Sequence, residues 1–187
     1  MESDKATMRR HYRQQRDEFV LALSPQDRAI AFSQMPTVVA SHIQIGHVVA
    51  SYIAKDSEAD PAGLLIAAHQ RGCATALPYV TSRASPMQFL RWSPGDPLED
   101  GPFGLRQPLS DAEILVPDIL LVPLVAFDSR LMRLGQGAGH YDRALSLLER
   151  ATAIGIAWYV QHAPAIAADP WDVPMDAILT EKSWMTI

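Results

Sequence analysis

Apolar positions recur at helical spacing over residues 4–23. Met8, Tyr12, Phe19 and Leu23 fall near one face, and Lys5, Arg9, Arg10, Arg13 and Arg16 populate the rest. Ser24-Pro25 then reads as an N-cap followed by proline at the first helical position, opening a second helix towards Met35. Residues 48–53 are rich in β-branched side chains and predict a buried strand. A helix follows over 61–71 and ends at Gly72. A strand at 73–79 and a shorter one at 87–92 come next. Residues 93–108 are rich in proline and glycine and read as a loop, long enough to carry function or to cover something. The most apolar segment, 118–127, predicts the central strand. A glycine-rich turn at 133–139, a helix at 141–150 and strands at 153–158 and 177–180 complete the pattern.

Strands alternate with helices from Val48 onward, which predicts a mostly parallel sheet covered on both faces. The expectation is one three-layer α/β domain over residues 1–187 with an N-terminal helical arm. No internal repeat or low-complexity tract divides it.

Composition narrows the function. The chain has 187 residues, of which 48% are hydrophobic and 20% charged, the balance of a globular domain. A net charge of -5 argues against a nucleic-acid partner held by a general positive field, yet a few local cations still suffice for an anionic substrate. Cys73 is the single cysteine, so neither an intrachain disulfide nor a thiolate metal cage is expected. The six histidines show no paired metal spacing. The N-terminal segment lacks an apolar signal core, and no apolar run approaches the roughly 20 residues of a membrane span. We therefore expect a soluble, cytoplasmic monomer with no membrane partner.

The most informative segment is Arg133-Leu134-Gly135-Gln136-Gly137-Ala138-Gly139-His140-Tyr141-Asp142-Arg143. Three glycines at alternate positions let backbone N–H groups approach a ligand closely, and the helix that follows aims its N-terminus at the same place. Both features favour a phosphate. Arg133 and Arg143 add charge-assisted donors, and Asp142 is placed to hold the magnesium that accompanies a nucleotide. The segment is neither a P-loop, since no Lys-Ser or Lys-Thr follows, nor a Rossmann fingerprint, since His140 occupies its sixth place. Read without any family, a ligand-free strand-to-helix turn remains open for this segment, as does a solvated face for the basic helix.

The run VPLVAFDSRLMRLGQGAGHYDRAL resembles the signature of the 5-formyltetrahydrofolate cyclo-ligase family. Ordered agreement extends to Lys5-x-x-x-Arg9 with a later Arg16, to Ser57-Glu58-Ala59-Asp60 after a strand, and to Trp171-Asp172-Val173-Pro174-Met175-Asp176. The resemblance implies ATP- and Mg2+-dependent cyclisation of 5-formyltetrahydrofolate to 5,10-methenyltetrahydrofolate through a phosphorylated formyl group. By position it assigns catalytic roles to Lys5, Arg133 and Tyr141. The ATP site would comprise Lys5, Arg9 and the run Arg133, Leu134, Gly135, Gln136, Gly137, Ala138, Gly139, His140 and Tyr141. Arg9, Ile53, Glu58, Met87 and Phe89 would contact the folate, with Glu58 on the pterin, and Asp142 and Asp172 would hold the magnesium. Two positions depart from the family pattern: His140 replaces an aromatic, and Gln107 replaces a glutamate. These departures leave two alternatives, a catalytically silent folate- or nucleotide-binding protein of the same fold and an ATP-dependent enzyme for another formylated amine.

Overall fold

The computed structural model describes residues 4–187. The chain opens with helices α1 (Asp4–Ala22), α2 (Pro25–Ile30) and α3 (Thr37–Ala40), and strand β1 (Val48–Ala50) precedes α4 (Ala62–Gln70) and β2 (Ala74–Tyr79). Next come β3 (Gln88–Arg91), β4 (Leu98–Asp100), β5 (Arg106–Pro108), β6 (Ile114–Leu115), β7 (Ile119–Pro123), β8 (Ala126–Phe127) and β9 (Arg133–Leu134). Helix α5 (His140–Leu145) and strands β10 (Thr152–Ile156), β11 (Ala177–Leu179) and β12 (Trp184–Thr186) end it.

Eight strands form one sheet in the order β12-β11-β10-β7-β1-β2-β3-β6. The run from β11 to β2 is parallel, while β12, β3 and β6 add antiparallel edges. Alternation along β7 divides the core into two layers. Ile119 and Leu121 face one side and pack with Val20, Phe32, Val39, Leu64 and Leu65 of the early helical segments. Leu120 and Val122 face the other side, with Ala144 and Leu145 of α5. Both faces of β7 are fully buried, which is why its sequence reads as continuous apolar residues. The expected three-layer α/β fold is the one observed.

Several boundaries differ from the sequence expectation, each for a local reason. The second helix stops at Ile30 rather than Met35. The Ser24 hydroxyl caps its start by accepting from Asp27 N–H at 3.0 Å. Beyond Ile30 the Ser33 hydroxyl takes the Ile30 carbonyl, and Pro36 disfavours helical backbone at Met35. The apolar run 118–127 is two strands, not one. After Pro123 the chain leaves the main sheet, and Val125 N–H bonds the Leu134 carbonyl at 2.8 Å to start the β8–β9 ribbon. The expected loop 93–108 contains a second ribbon, β4 with β5, turning through Phe103 at φ 62° and Gly104 at φ 67°. Helix α5 ends at Leu145, where the Ser146 hydroxyl back-bonds the Arg143 carbonyl.

Candidate active site

The carboxyl ends of the parallel strands open into a cavity of about 750 Å³. Its floor comes from residues just past or closing three adjacent strands: Tyr52 and Ile53 after β1, Pro78 and Val80 at β2, and Pro123 of β7. Parallel α/β sheets place ligands at this edge, because the backbone there is free of further strand pairing.

One wall is α1. Lys5, Arg9, Arg13 and Arg16 follow one another at spacings of four, four and three, which sets all four on one stripe of the helix facing the cavity. The opposing wall is the glycine segment, and its side chains explain the glycines. A methyl group on Gly135 would stand 2.7 Å from Arg133 Nη1, and one on Gly139 would stand 3.0 Å from Arg143 Nη1. Gly137, at φ 102°, brings its backbone against Arg9. Arg9 Nε in turn donates to the Gly135 carbonyl at 2.8 Å. Each glycine thus makes room for a guanidinium. Helix α5 is only six residues long, so these cations rather than its dipole dominate the local field.

Carboxylates complete the polar lining, Asp142, Asp169, Asp172 and Glu58 among them. Asp142 Oδ1 accepts from Arg133 Nη2 at 2.6 Å, and the Arg133 side chain is only 3% exposed. The Arg133 ring contact with Tyr141, 5.8 Å to the centroid, steadies that pair. Lys5 Nζ bridges Asp169 at 2.6 Å and Asp172 at 2.5 Å. Burial alone would lower the Lys5 pKa, but its bonds to Asp169 and Asp172 outweigh that and raise it. Burial likewise works against ionisation of Asp172, yet the Lys5 ammonium and the Asp169 N–H hold its carboxyl below the usual range. Glu58 accepts from Lys55 N–H at 3.1 Å and from Gln136 Nε2 at 3.1 Å, which ties the β1–α4 loop to the glycine segment. Burial and the nearby Glu58 charge push the Tyr141 hydroxyl well above its ordinary value, so it stays protonated.

The structure brings almost every residue singled out in the sequence to this cavity. Lys5, Arg9, Ile53, Glu58, Met87, residues 133–142 and Asp172 all line it. Phe89 does not: it is 3% exposed and packs in the core with Ala76 and Leu120, while Met87 two residues earlier reaches the cavity. His140 is in the wall, with Nδ1 3.1 Å from Arg143 Nη2 and its ring 6.5 Å from Phe103. Burial, then Arg143 and Arg83, lower its pKa, so it stands neutral near pH 7. Gln107 is buried in β5, where its Oε1 takes Val80 N–H, and it lies outside the cavity lining. Sequence reasoning gave no site role to Arg13, Arg16 or Trp171, though it named them, and passed over Lys55, Asp169 and the half-exposed Phe103. The helical stripe was the signal for the first two; nothing local marked the others.

Magnesium fits this donor set in one particular way. No group of three or more metal-ligating side chains exists among the described residues, which excludes an all-protein cage there. Asp142 and Asp172 nevertheless face one cavity, and an ion that keeps waters and phosphate oxygens needs only one or two carboxylates. No helix among the described residues is long and apolar enough to cross a membrane.

A parallel α/β sheet with a cation-lined, glycine-walled cleft at its strand ends defines an α/β enzyme built around an anionic ligand. The profile of the 5-formyltetrahydrofolate cyclo-ligase family matches residues 1–181, and the chain belongs to that family of enzymes. The 5-formyltetrahydrofolate cyclo-ligase of Escherichia coli K12 is 29% identical over 173 residues, covering 87% of this chain and 95% of that protein. The Mycolicibacterium smegmatis protein of the same name is 34% identical over 146 residues, 73% of this chain and 75% of that one. The match to the Haemophilus influenzae cyclo-ligase, 38% identical, spans 52% of that protein. The solved structure of Aquifex aeolicus 5,10-methenyltetrahydrofolate synthetase superposes with a TM-score of 0.77 at 27% identity, covering 97% of this chain and 92% of that chain.

Proposed function

We propose that this chain uses ATP and magnesium to cyclise 5-formyltetrahydrofolate to 5,10-methenyltetrahydrofolate. The observation that carries the reading is one cavity that offers two chemistries. Lys5, Arg9, Arg133 and the glycine backbone supply cations and N–H groups, and Glu58, Ile53 and Met87 supply a carboxylate and apolar side chains. A triphosphate suits the first. An amino-pyrimidine ring suits the second, where its two N–H groups meet a carboxylate acceptor and its face meets apolar side chains.

In this account the formyl oxygen attacks the terminal phosphorus of ATP, and the bond to the ADP oxygen breaks. The formyl carbon then carries phosphate instead of a poor leaving group. The folate's second nitrogen attacks that carbon, its proton leaves with the departing phosphate, and the ring closes. Lys5, Arg9 and Arg133 spread the charge that builds on the transferring phosphoryl group, a role of position and electrostatics that needs no protein nucleophile. Asp142 and Asp172 would hold the magnesium, which when bound neutralises phosphate oxygens and orients them. Tyr141, protonated and lining the same cavity, supplies a neutral donor.

The test is turnover by the pure protein, read as the near-ultraviolet absorbance of the methenyl product. Absorbance that rises only with 5-formyltetrahydrofolate, ATP and magnesium together supports the reading. A flat trace with ATP binding intact would replace it with a silent binder or a different formylated substrate.

A further inference from the structure

Arg16 is a buried cation with no task in the reaction just described. Its side chain is 7% exposed, yet it contributes to the cavity lining between α1 and the β1–α4 loop. Nε donates to the Ser57 hydroxyl at 2.8 Å, and that hydroxyl donates in turn to Asp17 Oδ1. Nη1 is buried and has no hydrogen-bond partner. The carboxylate that faces Nη1 is Glu58, with Oε1 3.9 Å away, beyond bonding distance but within one small rotation of it. A buried, unsatisfied donor on a charged group is costly and persists where some state of the site completes it.

Glu58 is held at two other points only by neutral donors, Lys55 N–H on Oε2 and the Gln136 amide on Oε1. Neither sets the rotation of the carboxylate plane strongly. A guanidinium does, because it is a rigid planar fork: anchored at Ser57 through Nε, it can present Nη1 to Glu58 in one orientation only. We propose that Arg16 is the positioning residue for Glu58, its Nη1–H closing on that carboxylate to fix the plane in which it accepts the amino-pyrimidine edge of the substrate. The inference rests on the reading of Glu58 as the pterin acceptor. A lysine at this place keeps the charge but lacks the rigid planar fork that fixes Ser57 and Glu58 in one mutual orientation.

The experiment compares kcat/KM for 5-formyltetrahydrofolate with that for an analogue bearing methyl in place of the 2-amino group. The wild-type ratio should be about tenfold to a hundredfold, the usual worth of one hydrogen bond to a charged acceptor. In R16M and R16K the ratio should fall by about tenfold or to unity, with KM for ATP changed less than about twofold. E58Q should lose the same discrimination, and R16M/E58Q should be no worse in this ratio than E58Q alone. If R16M does not fold, R16K carries the test. R16K or R16M enzymes that slow both substrates equally and keep the wild-type ratio overturn the proposal and leave Arg16 as a brace for the loop. An E58Q enzyme that still discriminates overturns the Glu58 reading itself, and the positioning role falls with it.

Discussion

Replacing Asp142 by asparagine separates its pairing with Arg133 from the proposed magnesium role, because the substitution keeps the shape and one acceptor while removing the charge. In the structure Asp142 is the counter-ion of Arg133, bonded at 2.6 Å with the two side chains 20% and 3% exposed. Stripping a buried pair of one partner costs about 3–5 kcal/mol. The amide oxygen still accepts the Arg133 bond, worth about 1 kcal/mol. The net loss is then about 2–4 kcal/mol, or about 4–16 °C in melting temperature for a domain of this size. The proposed magnesium role adds a second effect. Losing a charged magnesium ligand removes several kcal/mol from the phosphoryl-transfer step, so turnover should fall at least about a hundredfold, at 1.36 kcal/mol per tenfold. The assay is product formation against magnesium concentration, alongside thermal melting. The half-saturating magnesium concentration should rise as the rate falls. A lowered melting temperature with wild-type turnover and wild-type magnesium dependence would refute the metal role and leave Asp142 as the partner of Arg133 alone.

Three further outcomes follow from the same geometry. Lys5→Ala removes the ammonium that Asp169 and Asp172 share, so KM for ATP should rise at least about tenfold, the effect of about 1.4 kcal/mol of lost binding; an unchanged KM would return Lys5 to a purely structural bridge. Gly137→Ala forces a side chain into φ 102° beside Arg9, costing about 1–3 kcal/mol and weakening ATP binding; equal melting temperature and KM would contradict the close packing. Asp128 is buried, which opposes ionisation, but bonds from Ile166 N–H, the Arg130 side chain and the Met132 and Arg130 N–H groups hold its pKa below the ordinary value. Its folded pKa is depressed, so its stabilisation is complete above the unfolded carboxylate value near 4 and is lost as pH falls through the folded value. D128N should therefore melt lower at neutral pH and show a shallower acid limb, measured by melting temperature against pH; an acid limb as steep as wild type would refute this.

Much of the site was legible because its chemistry is local in the chain. The glycines at 135, 137 and 139 sit two residues apart beside arginines and Asp142, so close backbone approach to a ligand was readable from spacing, whereas the packing of Arg133, Arg9 and Arg143 into the room they leave emerges only from the fold. Helix α1 was legible for a similar reason: its apolar positions and its basic stripe share one period. What stayed hidden depends on contacts distant in sequence. Asp169 acquires meaning only when Lys5, 164 residues earlier, reaches it. Phe89 was placed at the folate by the family resemblance, but β3 buries both Phe89 and Leu90, and Met87, just before the strand, is the one that reaches the cavity. The break after Pro123 was invisible because Leu124 and Val125 are as apolar as the strand before them; pairing with Leu134 turns the chain there. Strand β12 and the β4–β5 ribbon are three-residue segments, too short for any period to register.

If ATP phosphorylates the formyl oxygen, phosphate leaves carrying that oxygen. Substrate with heavy oxygen in its formyl group, turned over with ATP and magnesium by the wild-type chain, tests this in one mass spectrum. The label should appear in inorganic phosphate in step with methenyl product. Label released into water, with unlabelled phosphate, would contradict it.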